Sequence, residues 1–246
     1  MSEDINIDGA PVGVTGDADL ELRSFGRRRG RKLSPRQARL MAQLLPRISP
    51  QLDTPPPSDL AHGLFGPGKG DVWLEIGFGG GEHLLWQARH NPDVGLIGAE
   101  PFEDGVVRVL AAIEDDGLGN IRVHADDVRD LLRWLPPASL GRAFVLFPDP
   151  WPKRKHQKRR LVNAHLLSLL SRAMRPGAEL RIATDIGDYA RTILMAFQAS
   201  GDFEWTANSA VDWRVRPADW PSTRYEEKAV REGRRSCYLR FLRRTP

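Results

Sequence analysis

Cysteine is nearly absent. Cys237 is the single one among 246 residues, which excludes an internal disulfide framework and points to a reducing, cytoplasmic compartment. The six histidines are scattered with neither CxxC nor HExxH spacing, so no zinc pattern is present and no metal is expected. Long apolar runs are missing too: the longest, such as AFVLF at 143–147, fall far short of the ~20 residues that cross a bilayer, so no membrane association is expected. Lys and Arg are absent from residues 1–22, which carry acids instead, the opposite of a secretory signal. That stretch also lacks apolar periodicity and is expected to be a disordered acidic tail.

What is present is enough for one core. With 41% hydrophobic residues the chain can bury an α/β domain of ordinary size, expected here over 71–246, after an arm, helix and connecting loop over 23–70. The formal charge is only +4 but is unevenly spread. Residues 71–149 hold 14 acids against 6 Lys and Arg, a charge of −8, so the remainder carries +12. Much of that excess lies in RSFGRRRGRK (23–32) and in residues 153–160, where six of eight positions are Lys or Arg. Two basic segments around an acidic middle suit a phosphate backbone; the plainer alternative is a pair of solvated loops.

Local patterns place the elements. In SPRQARLMAQLLPRI (34–48), Ser34 can cap a helix with Pro35 at its first position, and Leu40, Leu44 and Leu45 share a face. Residues 50–70 are rich in Pro and Gly and read as a loop. From residue 72 the order is VWLEI, GFGGG, EHLLWQARH, VGLIGAE: strand, glycine turn, helix and second strand, a right-handed βαβ unit that opens a doubly wound, Rossmann-like sheet. Further strands are expected at 120–126, 142–147 and 179–185, with helices around 104–115, 159–174 and 187–200. FEWTAN and SCYLRFL alternate and read as an antiparallel pair at the sheet edge, making the sheet mostly parallel.

The glycine loop supplies Gly77, Gly79 and Gly81. A dinucleotide fingerprint would need glycine where Glu82 stands, and an acid at that helix start repels a pyrophosphate. NAD is disfavoured. The pattern is instead ExGxGxG from Glu75, with Glu100 ending the next strand, where a carboxylate can accept from both hydroxyls of a ribose. S-adenosylmethionine, with a ribose, no phosphate and a cationic centre, fits such acidic walls, although a tight strand-to-helix turn alone would use the same glycines. Asp126 and Asp127 end the third strand, where an adenine amine could donate to one of them; either could equally cap the next helix.

The fourth strand runs into FPDPWPKRKHQKRR (147–160). Its carboxyl end is the edge at which open α/β sheets bind ligands, so Asp149, held between two prolines beside Trp151, is the leading candidate for chemistry. The alternative is a rigid turn with Trp151 packed in the core.

These residues resemble the bacterial tRNA (guanine-N7)-methyltransferases, class I enzymes that methylate a variable-loop guanine, position 46. The likeness runs from the basic arm through LEIGFGGGEHL, IGAEP, the PDPW segment, ATDIGDY and RPADWPSTRYE. It implies S-adenosylmethionine as cofactor, tRNA as partner and no obligatory protein partner. By the same likeness Glu75, Glu100, Asp127 and Asp149 match cofactor-site positions, with Asp149 also catalytic. Lys153, Asp185, Thr223, Arg224, Tyr225 and Glu226 match substrate-binding positions, and Lys155, His156, Gln157, Lys158, Arg159 and Arg160 an RNA-contacting segment. Departures are small: Gly80 adds a glycine, and Pro101 stiffens the turn after Glu100. A methyltransferase of another RNA, a protein or a small molecule is the main competing class; a protein or small-molecule substrate would leave both basic segments unexplained.

Overall fold

The computed structural model describes residues 28, 30 and 32–245. The acidic tail expected over 1–22 lies outside the described residues, as does the basic arm apart from Arg28, Gly30 and Lys32.

Ser34 opens the first helix as expected: its hydroxyl accepts from Gln37 N–H while the Gln37 side chain accepts from Ser34 N–H, a reciprocal cap. This helix, α1, runs as α-helix over Pro35–Arg39, widens to a π-turn over Leu40–Leu44 and closes as α-helix over Leu45–Ile48. Pro46 explains the widening. A proline inside a helix lacks its N–H and crowds the preceding turn, and Leu45 N–H reaches back five residues to Leu40 O. The stretch read as a plain loop contains a short helix, α2 (Leu60–Phe65), capped by the Asp59 side chain.

The sheet strands are β1 (Asp71–Ile76), β2 (Val94–Ala99), β3 (Ile121–His124), β4 (Leu140–Leu146), β5 (Met174–Thr184), β6 (Phe203–Trp205) and β7 (Cys237–Arg243), in spatial order β3-β2-β1-β4-β5-β7-β6. The first five are parallel; β7 runs against both β5 and β6. The expected antiparallel pair thus closes the edge, with β7 on the inside. Helices α3 (Glu82–His90), α4 (Glu103–Asp116), α5 (Val128–Trp134), α6 (Ala164–Ala173) and α7 (Gly187–Ser200) make the crossovers, while α8 (Val211–Arg214) and α9 (Arg224–Arg231) lie in the insertion before β7. The helix expected from 159 starts only at Ala164, because residues 154–159 take a tight 3-10 form and Asn163 supplies the cap.

Strand alternation divides the core. Leu74, Ile76, Ile97, Ala143, Val145, Leu180 and Ile182 face one cluster, while Trp73, Leu96 and Phe144 face the other with α1, α3 and α4. Each of these side chains is buried, at about 1.5–3 kcal/mol for a large one, and a register slip by one residue would turn each into the opposite cluster and break the packing of both. Glu75 shares the parity of Trp73 and therefore sits under α3.

Candidate active site

The order β3-β2-β1-β4 reverses direction between β1 and β4, and a cleft of about 320 Å³ opens at the carboxyl ends there. Its walls are Gly77 and Gly79 after β1, Glu100, Pro101 and Phe102 after β2, Asp126 to Arg129 after β3, and Phe147 to Asp149 with Trp151 after β4.

Gly79 is held from three sides. Its N–H donates to Glu100 Oε2 at 2.8 Å, and its φ of +55° suits glycine. A Cβ there would meet the Tyr225 ring at 3.0 Å, and a Cβ on Gly105, in the first turn of α4, would lie 2.1 Å from the Gly79 carbonyl oxygen. Gly105 lies behind the cleft wall, where it lets α4 approach the glycine loop, and the sequence reading missed it. Gly81 lies outside the cleft and serves packing against Val109.

Glu100 is 7% exposed and its second oxygen accepts from Phe102 N–H at 2.9 Å. Burial raises its pKa above the ordinary carboxylate value; the two backbone donors pull it down, and the charges of Asp149 and Glu75 push it up again. Glu75 itself lies below the loop, outside the main cleft, 2.7 Å from His83 Nδ1. A chain of fixed donors sets this contact. Asn91 Nδ2 donates to Gln87 Oε1, and Gln87 Nε2 donates to the Asp219 carbonyl and to His83 Nε2, which leaves Nδ1 as the ring nitrogen that faces Glu75 as donor. His83 and Gln87, four apart on α3, were also missed; their spacing is the signal that links them.

Asp127 takes the capping role and also lines the cleft. It caps α5 through Arg129 N–H, pairs with Arg129 Nη1 at 2.7 Å, and lines the cleft. Asp126 pairs with Arg28 at 2.7 Å, bringing a described residue of the basic arm to the rim.

The Pro148, Asp149, Pro150 turn is bracketed by two aromatics in left-handed backbone: Phe147 at φ +51° and Trp151 at φ +42°. Each costs about 1–3 kcal/mol, and such strain concentrates where a site needs a fixed geometry. Trp151 lines the cleft, so the alternative of a Trp packed in the core does not describe it. Asp149 is exposed on the cleft wall.

Outside this turn, Lys153, Lys155 and Lys158 are exposed, while His156 sits edge-on to Trp151 and Arg159 lies over the same ring at 5.0 Å. Gln157 donates to Asp188 at 3.1 Å. Arg160 differs from the exposed lysines of the expected RNA-contacting run: it is 3% exposed and turned inward, with Asp188, Thr192 and the Pro150 carbonyl as partners. A count of Lys and Arg cannot say which way a side chain points.

The family model described as "Putative methyltransferase" matches residues 69–239. A tRNA (guanine-N(7)-)-methyltransferase of Hyphomonas neptunium (strain ATCC 15444) is 54% identical over 211 residues, covering 85% of this chain and 94% of the relative. That of Roseobacter denitrificans (strain ATCC 33942 / OCh 114) is 51% identical over 225 residues, covering 89% and 95%. The chain belongs to the tRNA (guanine-N7)-methyltransferase family. Among solved structures, the 16S rRNA methyltransferase KamB aligns with a TM-score of 0.51 at 17% identity, over 78% of this chain and 96% of that one. The [4+2]-cyclase SpnF aligns at 0.50 and 15% identity, over 76% and 80%. These two likenesses establish the class I fold alone, since one scaffold carries both a methyl transfer and a cyclisation.

In this tRNA (guanine-N7)-methyltransferase family member the distal TRYE segment closes over the glycine loop. Thr223 caps α9 through Glu226 N–H. Arg224 lies 3.1 Å from Glu82, Tyr225 lines the cleft beside Gly79, and Glu226 accepts from the Tyr238 hydroxyl and pairs with Arg216 at 3.1 Å. Asp185, at the end of β5, is tied to Arg234 at 2.6 Å. Glu226 and Asp185 thus already have cationic partners, whereas Tyr225 presents 44% of its surface. Among the described residues no cluster of three or more His, Cys, Asp or Glu could hold a metal, and no helix is long and apolar enough to cross a membrane.

Proposed function

We propose that this chain transfers the methyl group of S-adenosylmethionine to N7 of the variable-loop guanine, position 46, of tRNA. The observation that carries the reading is one juxtaposition: the strained turn presenting Asp149 forms a wall of the same cleft as Glu100 and the glycine loop, with exposed cations on the 3-10 helix just outside.

The cleft fits the cofactor. Glu100 can accept from ribose hydroxyls, Gly79 leaves backbone where a Cβ would crowd Tyr225, and Asp126, Asp127 and Asp149 add negative walls for a cation. When bound, the sulfonium supplies an electrophilic methyl to an in-plane lone pair such as that of guanine N7, which needs no prior deprotonation. The residues then have a positioning and electrostatic task. Asp149 accepts from the guanine N1 and N2 protons and offsets the positive charge that develops on the ring. Tyr225 or Trp151 stacks on the base. Lys153, Lys155 and Lys158 meet phosphates.

Two expected results follow from this assignment. Changing Lys155 and Lys158 to Gln should weaken tRNA binding about 10-fold or more and lower the salt slope by about 1 per charge removed, with melting temperature unchanged; filter binding across a salt series measures it. Cofactor affinity should fall as pH drops through the pKa of Glu100. Because burial raises that pKa, the fall should come at a higher pH than an ordinary carboxylate would give, and Glu100→Gln should abolish it. Calorimetric titration between about pH 4 and pH 8 reads this out. The function itself is tested by labelled methyl transfer to tRNA transcripts with the variable-loop guanine intact or changed to adenine, followed by nucleoside mass spectrometry. 7-Methylguanosine in the first alone supports the reading; cofactor binding without transfer to either redirects it to a protein or small-molecule substrate.

A further inference from the structure

Arg160 carries a charge that the chain does not present to solvent, and it touches the turn that holds Asp149. Its side chain is 2% exposed. Nε donates to the Pro150 carbonyl at 3.0 Å, Nη1 to Thr192 Oγ1 at 2.6 Å, and Nη2 to Asp188. The guanidinium carbon lies 4.8 Å from the centre of the Tyr189 ring. Its backbone is committed as well, the N–H donating to Gln157 O at 3.0 Å and the carbonyl accepting from Asn163 Nδ2 at 3.1 Å. All three guanidinium nitrogens are therefore engaged inside the protein, and the planar fork joins the turn to α7 in a way that a lysine, with its single point of charge, does not reproduce.

The turn requires such a brace. Phe147 and Trp151 keep a left-handed backbone only if the surroundings over-determine it. One end is fixed where Phe147 N–H donates to Ala183 O at 2.8 Å. At the other end Pro150 has no N–H, so its carbonyl is the main-chain group by which it can be held, and Arg160 holds it.

We infer that Arg160, anchored by Asp188, is a positioning residue that sets the Asp149 turn for methyl transfer and makes no contact with RNA. The inference rests on the reading of Asp149 given above. Asp188 is the place to intervene: its side chain is 61% exposed, so Asp188→Asn should fold, and it removes the charge on the oxygen to which Arg160 and Gln157 both donate, loosening the anchor. The two views of Arg160 predict opposite signs. As a brace, Asp188→Asn and Arg160→Lys each lower kcat for tRNA methylation about 10-fold to 100-fold, the cost of misplacing a group by about 1 Å. The tRNA Kd and its salt dependence stay unchanged, and the double variant is no worse than Arg160→Lys, since both act through one contact. As part of an RNA-binding surface, Arg160 freed from a carboxylate would bind tRNA more tightly with a steeper salt dependence. That result, or an unchanged kcat in both variants, overturns the inference. The wild-type chain assayed alongside keeps the two readings apart: no transfer to tRNA by the wild type sinks the proposed function, whereas wild-type transfer with variants equal to it sinks the brace alone.

Discussion

Alanine in place of Asp149 is expected to lower kcat for tRNA methylation by about 10²–10³-fold while tRNA affinity stays within about twofold. The side chain is exposed, so its removal leaves no cavity and the melting temperature should move little. On the proposed role, what disappears is an acceptor for the guanine edge as positive charge develops on the ring, an interaction stronger in the transition state than in the ground state. Losses of this kind appear in kcat and kcat/KM together, with KM for tRNA nearly constant. Single-turnover rates at saturating tRNA, beside equilibrium binding and thermal melting, make the comparison. A parallel fall in tRNA affinity or stability would show that Asp149 shapes the turn instead of acting on the base.

The second large effect is expected at a residue that has no side chain at all. Gly105→Ala should weaken cofactor binding more than 10-fold and destabilise the fold by about 1–3 kcal/mol. On propensity alone alanine inside a helix is about 1 kcal/mol better than glycine, so the expected sign is set by a contact. The new methyl would stand 2.1 Å from the Gly79 carbonyl oxygen and 3.3 Å from Glu100 Cγ. Backbone cannot swing aside as a flexible side chain can, so the glycine loop must shift, and its N–H contact with Glu100 shifts with it. Cofactor titration and thermal melting of the same preparation test both halves; a variant that binds normally and melts higher would mean that α4 yields and the loop stays put.

The backbone of the site could be read from local pattern because local chemistry sets it. Alternation fixes which side of β1 Glu75 faces, the glycines fix the turn after it, and the apolar run of β4 places Pro148, Asp149 and Pro150 at the ligand edge. Other parts depend on contacts between residues far apart in the chain. Glu226 and Asp185 match substrate-binding positions by resemblance, but no local pattern shows that Arg216, Tyr238 and Arg234 come from separate turns of the chain to meet them. Arg160 sat in a cationic run whose other members include exposed lysines, and its inward rotation follows from an Asp and a Thr 28 and 32 residues away. Gly105 has an ordinary helical neighbourhood in sequence; its need for no side chain comes from a carbonyl on another element. The π-turn of α1 was legible in principle, since Pro46 lies inside the apolar pattern that predicts the helix.

The interleaved edge of the sheet has a consequence for synthesis. Strand β6 leaves the ribosome before β7, yet among the described residues its sheet partner is β7, which slots between it and β5. At about 5–20 residues per second, Phe203–Trp205 must wait for the roughly thirty residues up to Cys237 before it can pair. The parallel half, β1 to β5, can assemble meanwhile with the open edge of β5 exposed, and an unpaired edge of that kind invites association with other chains. Released chains truncated near residue 210 should therefore be the aggregation-prone species, and chains that include β7 should not.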